Sequence, residues 1–137
     1  MVSVMSATNR YILQPGLVEM HRESLECLSM TALWKRELHF FQKLLDKYAP
    51  EFSSLDEKKR VGHFQSLLTY YSGELVDEIN RKIRHHEINL ARMLQQNNES
   101  DTKYFAEHQD LIMQVESFSK NYEAFHHDLY DFIERAM

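Results

Sequence analysis

Apolar side chains recur every three and four residues through the last third of the chain, and this spacing limits the fold more than any other feature. The positions are His108, Leu111, Val115, Phe118, Tyr122, Phe125, Leu129, Phe132 and Ala136. Only an α-helix places such positions on one face. Their mean spacing of about 3.5 residues is the period of helices that wrap into a left-handed coiled coil. The stripe begins with a histidine where a leucine is expected.

Two earlier segments carry the same kind of stripe. The first predicted helix runs from about Leu17 to Tyr48 and ends where Ala49 precedes Pro50, because a residue before proline is pushed out of the helical region. The second begins near Ser54, with Glu57 placed to complete a capping box. Its stripe comprises Val61, Phe64, Leu68, Tyr71, Leu75, Ile79, Ile83, His86, Leu90 and Met93.

These stripes predict an all-α fold, an antiparallel up-down bundle of three long helices. Three Gly and two Pro leave few places for turns, and connections of a few residues make successive helices antiparallel. The bundle domain is predicted over residues 17–137. Residues 1–16 lack helical periodicity and are interpreted as an N-terminal arm. Trp34, Leu68, Phe118, Tyr122 and Phe125 are predicted to form the central core.

The second helix contains an irregularity near Gly73. Three successive steps of four residues follow Tyr71, and such a stutter locally unwinds a coiled coil. Glycine inside a helix costs about 1 kcal/mol relative to alanine. A kink at this point is predicted, and a true break, giving four helices, is the alternative.

Composition narrows the function classes. The chain has 137 residues and a formal net charge of −5, whereas a nucleic-acid binder normally carries a basic excess. We expect no nucleic-acid partner and no membrane partner, since no run of 18 apolar residues occurs. Cys27 is the single cysteine, so neither an intramolecular disulfide nor a zinc site of several thiolates can form. A cytoplasmic location is the expectation.

Eight histidines stand out in a chain of this length. Counting back from the turn near Asn98 predicts that His86 and His108 lie inside the bundle, within about two helical turns of each other. His85, Glu87 and His21 fall near this level, and His39 is predicted near His63 at the other end.

The histidine cluster has two interpretations. A pair of structural core histidines, each hydrogen-bonded to a carboxylate such as Glu87 or to a carbonyl, is favoured. The alternative is a site for iron, zinc or manganese, because bundles bind these metals with imidazole and carboxylate from facing helices. Its candidate ligands are His86, His108, Glu87 and His85. No other cofactor is expected.

Two short patterns resemble halves of known metal sites. Glu123-x-x-His126 matches half of the ferritin-like di-iron pattern, and His126 with Asp131 matches the last element of the hemerythrin pattern. The partner motifs of both are missing. Glycine-rich phosphate loops are also missing, and nothing indicates a strained turn that would hold Cys27 as a nucleophile.

Four short stretches resemble a family of short bacterial helical-bundle proteins with no assigned activity. They are Leu33-Trp34-x-x-Glu37-Leu38-x-Phe40-Phe41, His63-Phe64-Gln65, His86-Glu87-x-x-Leu90, and His108 followed by Phe118-x-x-x-Tyr122. The resemblance covers about residues 30–133. It implies a helical bundle and carries no catalytic residue.

The expected function is protein–protein contact or self-association without enzymatic activity, with a homodimer as the expected assembly. The second predicted helix is longer than the first, which would leave apolar surface uncovered near residues 94–104 and so drive association. A bundle that binds a metal or a small ligand through its core histidines is the alternative.

Overall fold

A computed structural model describes residues 15–96 and 102–137, which are almost entirely helical and include no strand. Helix α1 spans Pro15–Tyr48, α2 Leu55–Tyr70, α3 Val76–Gln95 and α4 Thr102–Glu134. A π-helical turn, Tyr71–Leu75, joins α2 to α3. The chain therefore forms three long helices packed against one another, and the predicted all-α bundle is confirmed.

The second long helix is continuous through Gly73, so the alternative of a break does not occur. The backbone N–H of Val76 donates to the carbonyl of Tyr71, five residues earlier, which is the hydrogen bond of a π turn. This turn shifts the phase of the core stripe by one residue. The prediction that Leu75 is a core residue is therefore wrong: Leu75 is half-buried, and Val76 is buried instead.

The start of α2 follows from its sequence. The Ser54 side chain accepts a hydrogen bond from the Glu57 backbone N–H, and the Glu57 carboxylate accepts one from the Ser54 backbone N–H. The predicted capping box is thus confirmed. Before it, a single 3₁₀ turn, Ala49–Glu51, contains Pro50, and Phe52 turns inward to stack on Phe132 with ring centroids 4.3 Å apart.

Helix α1 begins at Pro15, two residues before the predicted start. Proline suits the first helical turn, because its missing N–H would have no partner within the helix there. The rest of the predicted arm, residues 1–14, lies outside the described residues, as do residues 97–101 with the predicted turn near Asn98. No helix among residues 15–96 and 102–137 is long and apolar enough to cross a membrane.

The chain divides into two compact units, each built from one segment of every long helix. Among the described residues, unit 1 comprises 15–30, 79–96 and 102–116, and unit 2 comprises Thr31–Glu78 and Ser117–Met137. Each unit has its own core.

Unit 2 has an aromatic core. The Trp34 ring lies 4.6 Å from that of Phe118, and Tyr71 stacks on Phe125 at 4.7 Å between centroids. Tyr122 also packs here, and its hydroxyl donates to the Glu37 carboxylate over 3.0 Å. The five residues predicted to form the central core are all buried: Trp34, Leu68, Phe118, Tyr122 and Phe125.

Unit 1 has an apolar cluster and a polar layer. Met20 and Phe105 pack against the apolar cluster, which consists of six buried residues: Leu17, Leu90, Ala91, Met93, Leu94 and Tyr104. Leu94 is fully buried and Met93 nearly so. The apolar surface that the dimer prediction invoked near residue 94 is therefore not exposed at these side chains.

Candidate functional site

The polar layer of unit 1 centres on two buried histidines, one from α3 and one from α4. His86 and His108 are 0% and 2% exposed. The Nε2 atom of His86 lies 2.9 Å from the Nδ1 atom of His108, which is hydrogen-bonding distance. The prediction that the pair meets inside the bundle is confirmed.

Each histidine also holds a carboxylate with its other ring nitrogen. The Nδ1 atom of His86 lies 2.9 Å from Oε1 of Glu107, and the Nε2 atom of His108 lies 3.1 Å from Oε1 of Glu23. The two carboxylate side chains are 41% and 36% exposed, so the chain of hydrogen bonds reaches solvent at both ends. We call these four side chains the histidine relay: Glu107, His86, His108 and Glu23.

The distances limit where protons can lie in the relay. An ionised carboxylate can only accept, so Nδ1 of His86 carries the proton that is donated to Glu107. The central hydrogen bond needs one proton between Nε2 of His86 and Nδ1 of His108. Two protons there would set N–H against N–H across 2.9 Å and break that bond.

The surroundings of the pair favour this state. Burial lowers the pKa of His86, although its hydrogen bond to Glu107 opposes the shift, so a proton is less readily added to this ring. Burial by itself would raise the pKa of Glu107, but hydrogen bonds from His86 and Asn89 outweigh it, and the pKa is lowered overall. Glu107 therefore stays ionised and accepts.

An aromatic ring covers the relay. Tyr104 stacks on His86 with centroids 4.3 Å apart and an interplanar angle of 3°. Its hydroxyl is buried and has no hydrogen-bond partner among the described residues. Burial, with the charges of Glu87 and Glu107, raises the pKa of the Tyr104 hydroxyl, so Tyr104 remains a neutral ring against the relay.

Glu87 contacts a different histidine from those predicted. It pairs with His21 of α1, with 2.7 Å between Oε2 and Nδ1. Burial raises the pKa of Glu87, although the charge of His21 opposes this. The predicted hydrogen bonds from the buried histidines to carboxylates are present, but Glu107 and Glu23 make them and Glu87, the example named, does not.

His85 does not join the buried pair. It is exposed and lines two surface grooves that it shares with Glu107. As the neighbour of a core position on a helix, it lies about 100° round the helix from His86, since one turn takes 3.6 residues.

Sequence reasoning missed Glu23, Glu107 and Tyr104. Glu107 and Glu23 each lie one residue before a buried polar residue, His108 and Ser24 respectively, at the flank of a core stripe. That position is half-exposed and suits a carboxylate that must reach both a buried ring and solvent. The signal was present in the register, but many charged residues flank core stripes and most of them face only water.

The metal interpretation finds limited geometric support. Among the described residues, no group of three or more His, Cys, Asp and Glu side chains is arranged to hold a metal ion. Of the half-motif residues, His126 is half-buried and lies 5.2 Å from the Phe41 ring and 5.8 Å from that of Tyr122, between centroids. That histidine is therefore packed against the core of unit 2.

The second predicted histidine pair lines two separate grooves in unit 2. His39 lies on the outer side of α1 beside Phe40 and Lys43, and His63 lies between α2 and α4 beside Phe64 and Asp128. His39 and His63 share no hydrogen bond in the described structure, so this pair does not form a site like the histidine relay.

No family model, no curated protein and no solved structure matches this chain. The resemblance to short bacterial bundle proteins therefore stays a prediction.

Proposed function

We propose that this chain is a non-enzymatic helical bundle that acts through protein–protein contact. The observation that carries the proposal is the outer side of α1 in unit 2. Phe40 is 59% exposed and Leu33 is 54% exposed, and their spacing of seven residues, about two helical turns, places both on the same side of the helix. Large apolar side chains grouped on a surface mark a contact site more often than single ones do.

The state of the titratable groups supports a non-enzymatic role. All four ring nitrogens of His86 and His108 are engaged with each other or with carboxylates. General acid–base catalysis needs such a nitrogen within reach of a substrate proton. The relay instead ties α1, α3 and α4 together within unit 1, which is a structural task.

Location and origin belong to the same proposal. Cys27 is free and buried. Burial raises the pKa of its thiol, and the negative charge of Glu23 raises this pKa further. A protonated, buried thiol in a chain without a second cysteine fits a reducing compartment. We infer a cytoplasmic bacterial protein, with a second copy of the chain as its contact partner.

Photo-crosslinking tests the proposed contact. A photoreactive benzoylphenylalanine replaces Phe40 in the full chain, and a matched variant carries it at Leu55, which is 69% exposed in the same unit. We expect protein adducts at position 40 in cells that produce the chain and far fewer at position 55. Absence of adducts at position 40, or equal yields at both positions, would contradict the proposal.

A metal-binding bundle is the second candidate, and one observation favours it. His86 and His108 each hold a carboxylate with the nitrogen that faces away from the other ring, as metal-ligating histidines do. Iron, zinc or manganese in place of the central proton would require the two facing nitrogens to move apart, because 2.9 Å leaves no room for two metal–nitrogen bonds of about 2.0–2.1 Å in line.

Metal analysis separates the two candidates. We expect purified protein to contain no stoichiometric metal and a chelator to leave the melting temperature unchanged. Stoichiometric metal that is lost in a His86→Leu/His108→Leu variant would favour the second candidate, because a bound metal stabilises the folded state.

A further inference from the structure

We propose that unit 1 binds one internal water molecule beside the histidine relay, held by the side chains of Ser24, Glu87 and Tyr104. These residues come from α1, α3 and α4 in turn. Each carries a buried oxygen atom that has no hydrogen-bond partner among the described residues. The site does not depend on the protein contact proposed above.

The three side chains are enclosed in the core of unit 1. Ser24 and Tyr104 are 2% and 4% exposed, and the Glu87 side chain is 12% exposed. A buried hydroxyl or carboxylate oxygen without a hydrogen bond destabilises the fold, because it loses the bonds that water offers to it in the unfolded chain. Folded proteins satisfy nearly all such atoms with protein groups or with ordered water.

Glu87 lies at the centre of the site. Its Oε2 atom is held by Nδ1 of His21 at 2.7 Å, so Oε1 is the carboxylate oxygen that remains. Burial raises the pKa of Glu87, whereas His21 and then the hydroxyl of Ser24 oppose this rise, which places Ser24 beside the carboxylate. Ser24 follows His21 by three residues and therefore lies on the same side of α1.

Tyr104 brings its hydroxyl to the same carboxylate from α4. Burial raises the pKa of this hydroxyl, and the negative charge of Glu87 raises it further, ahead of that of Glu107. The ring stacks on His86 with centroids 4.3 Å apart, so the direction of the hydroxyl is fixed by packing. The hydroxyls of Ser24 and Tyr104 thus approach Glu87 from two different helices.

Water is the ligand whose hydrogen bonds fit these atoms. An ionised carboxylate oxygen only accepts, whereas each hydroxyl can donate and accept. One water molecule can donate to Glu87 and to one hydroxyl and accept from the other, and buried waters typically make about three such bonds. The three oxygens are almost fully enclosed, so a larger solute does not fit. A Ca²⁺ or Mg²⁺ ion would need about six oxygen ligands.

One further buried atom stands apart from the site. The Nε2 atom of His21 also has no hydrogen-bond partner among the described residues. It lies across the imidazole ring from Nδ1, which holds Glu87, and so it faces away from Oε1. The water site therefore uses only the three oxygens, and it links α1, α3 and α4 in a second polar layer next to the histidine relay.

A crystal structure of the full chain, at a resolution that shows single ordered waters, tests the site directly. We expect an isolated density peak at about 2.5–3.0 Å, the range of hydrogen bonds between oxygens, from Ser24 Oγ, Glu87 Oε1 and Tyr104 Oη. Absence of a peak, with or without direct bonds from the hydroxyls to Glu87, would overturn the inference. A peak with about six oxygen ligands at about 2.0–2.6 Å would identify a metal ion and overturn it too.

The variant Tyr104→Phe tests the same site through stability, because it removes the hydroxyl and keeps the ring that stacks on His86. Loss of a hydroxyl that is bonded to the buried water leaves that water with a bond unmade, so the midpoint of urea unfolding should fall. Tyr130→Phe is the matched control, since Tyr130 is 46% exposed on the same helix, and its midpoint should equal that of wild type. An unchanged or higher midpoint for Tyr104→Phe would show that the hydroxyl has no partner and would overturn the inference.

Discussion

Phe118 shows how much of unit 2 depends on single aromatic side chains. Its ring lies 4.6 Å from that of Trp34, 5.6 Å from Tyr71 and 5.9 Å from Tyr122, between centroids. Residues from all three long helices thus meet at one ring. Truncation would remove contacts to each of them at once, and close-packed interiors relax only partly around the space that is left.

We expect Phe118→Ala to lower the free energy of unfolding by about 3–5 kcal/mol, the range for truncating a buried phenylalanine. Tyr130→Ala is the matched control, because Tyr130 is an aromatic residue of the same helix that is 46% exposed, and exposed changes usually cost little. Urea unfolding followed by circular dichroism measures both. A loss below about 1 kcal/mol for Phe118→Ala would show that this stripe is not the core.

At the scale of the elements, the π turn is the feature that sequence periodicity describes least well. The π turn adds one residue between α2 and α3, and the Ser72 carbonyl accepts a hydrogen bond from outside the helix. Lys35 of α1 donates to that carbonyl over 2.7 Å and to Asp77 over 2.7 Å. The irregular turn is thus tied to α1 by a side chain that the stripe pattern does not include.

Deletion of one residue tests whether the turn is an insertion into a regular helix. Removal of Gly73 should convert the π turn to α-helix and leave both flanking stripes in phase, with a change in stability of about 1 kcal/mol or less, similar to other helix-interior glycine effects. Removal of Gly62 is the control, since it would rotate the rest of the helix by about 100°. Both glycines are exposed in open space.

Thermal melts followed by circular dichroism distinguish the two deletions. We expect a cooperative melt near the wild-type temperature without Gly73 and loss of cooperative melting without Gly62. Equal damage by both deletions would mean that the π turn is required for the fold.

Sequence alone could predict the helices because their cause is local. The stripe of α4, the capping box at Ser54 and the stop before Pro50 each depend on neighbours within a few residues. The exchange of Leu75 for Val76 in the core could not be predicted in the same way, since the stutter marks an irregularity without saying which hydrogen bonds it will adopt.

The candidate site was predictable only in part for a similar reason. Register along antiparallel helices places His86 near His108, but it does not say which flanking carboxylates turn inward. Glu107 and Glu23 do so, while Glu87 turns to His21. Such choices depend on the rotation of each helix within unit 1, which residue spacing gives only to within part of a turn.

At the scale of the whole molecule, the histidine relay couples folding to pH. The pKa of His86 is lowered in the folded state, so below the ordinary value of about 6.5 the unfolded chain takes up a proton that the folded chain resists. The contribution of His86 to the free energy of unfolding should therefore be complete above about pH 6.5. The free energy of unfolding should decrease as the pH falls through that value. The groups that face the pair are Glu23 of α1, His85 and Glu87 of α3, and Tyr104 and Glu107 of α4.

The most direct test is the free energy of unfolding of the full chain between pH 5.5 and 8, compared with that of a His86→Leu/His108→Leu variant. The two carboxylates left behind are both partly exposed, so water can solvate them and the variant should fold with similar or higher stability near neutral pH. Wild type should lose at most about 1.4 kcal/mol per pH unit below pH 6.5, the value for one proton, and the variant clearly less. His85→Leu, an exposed histidine next to the pair, should keep the wild-type slope. Equal slopes in wild type and the double variant would contradict the coupling of folding to the protonation of His86.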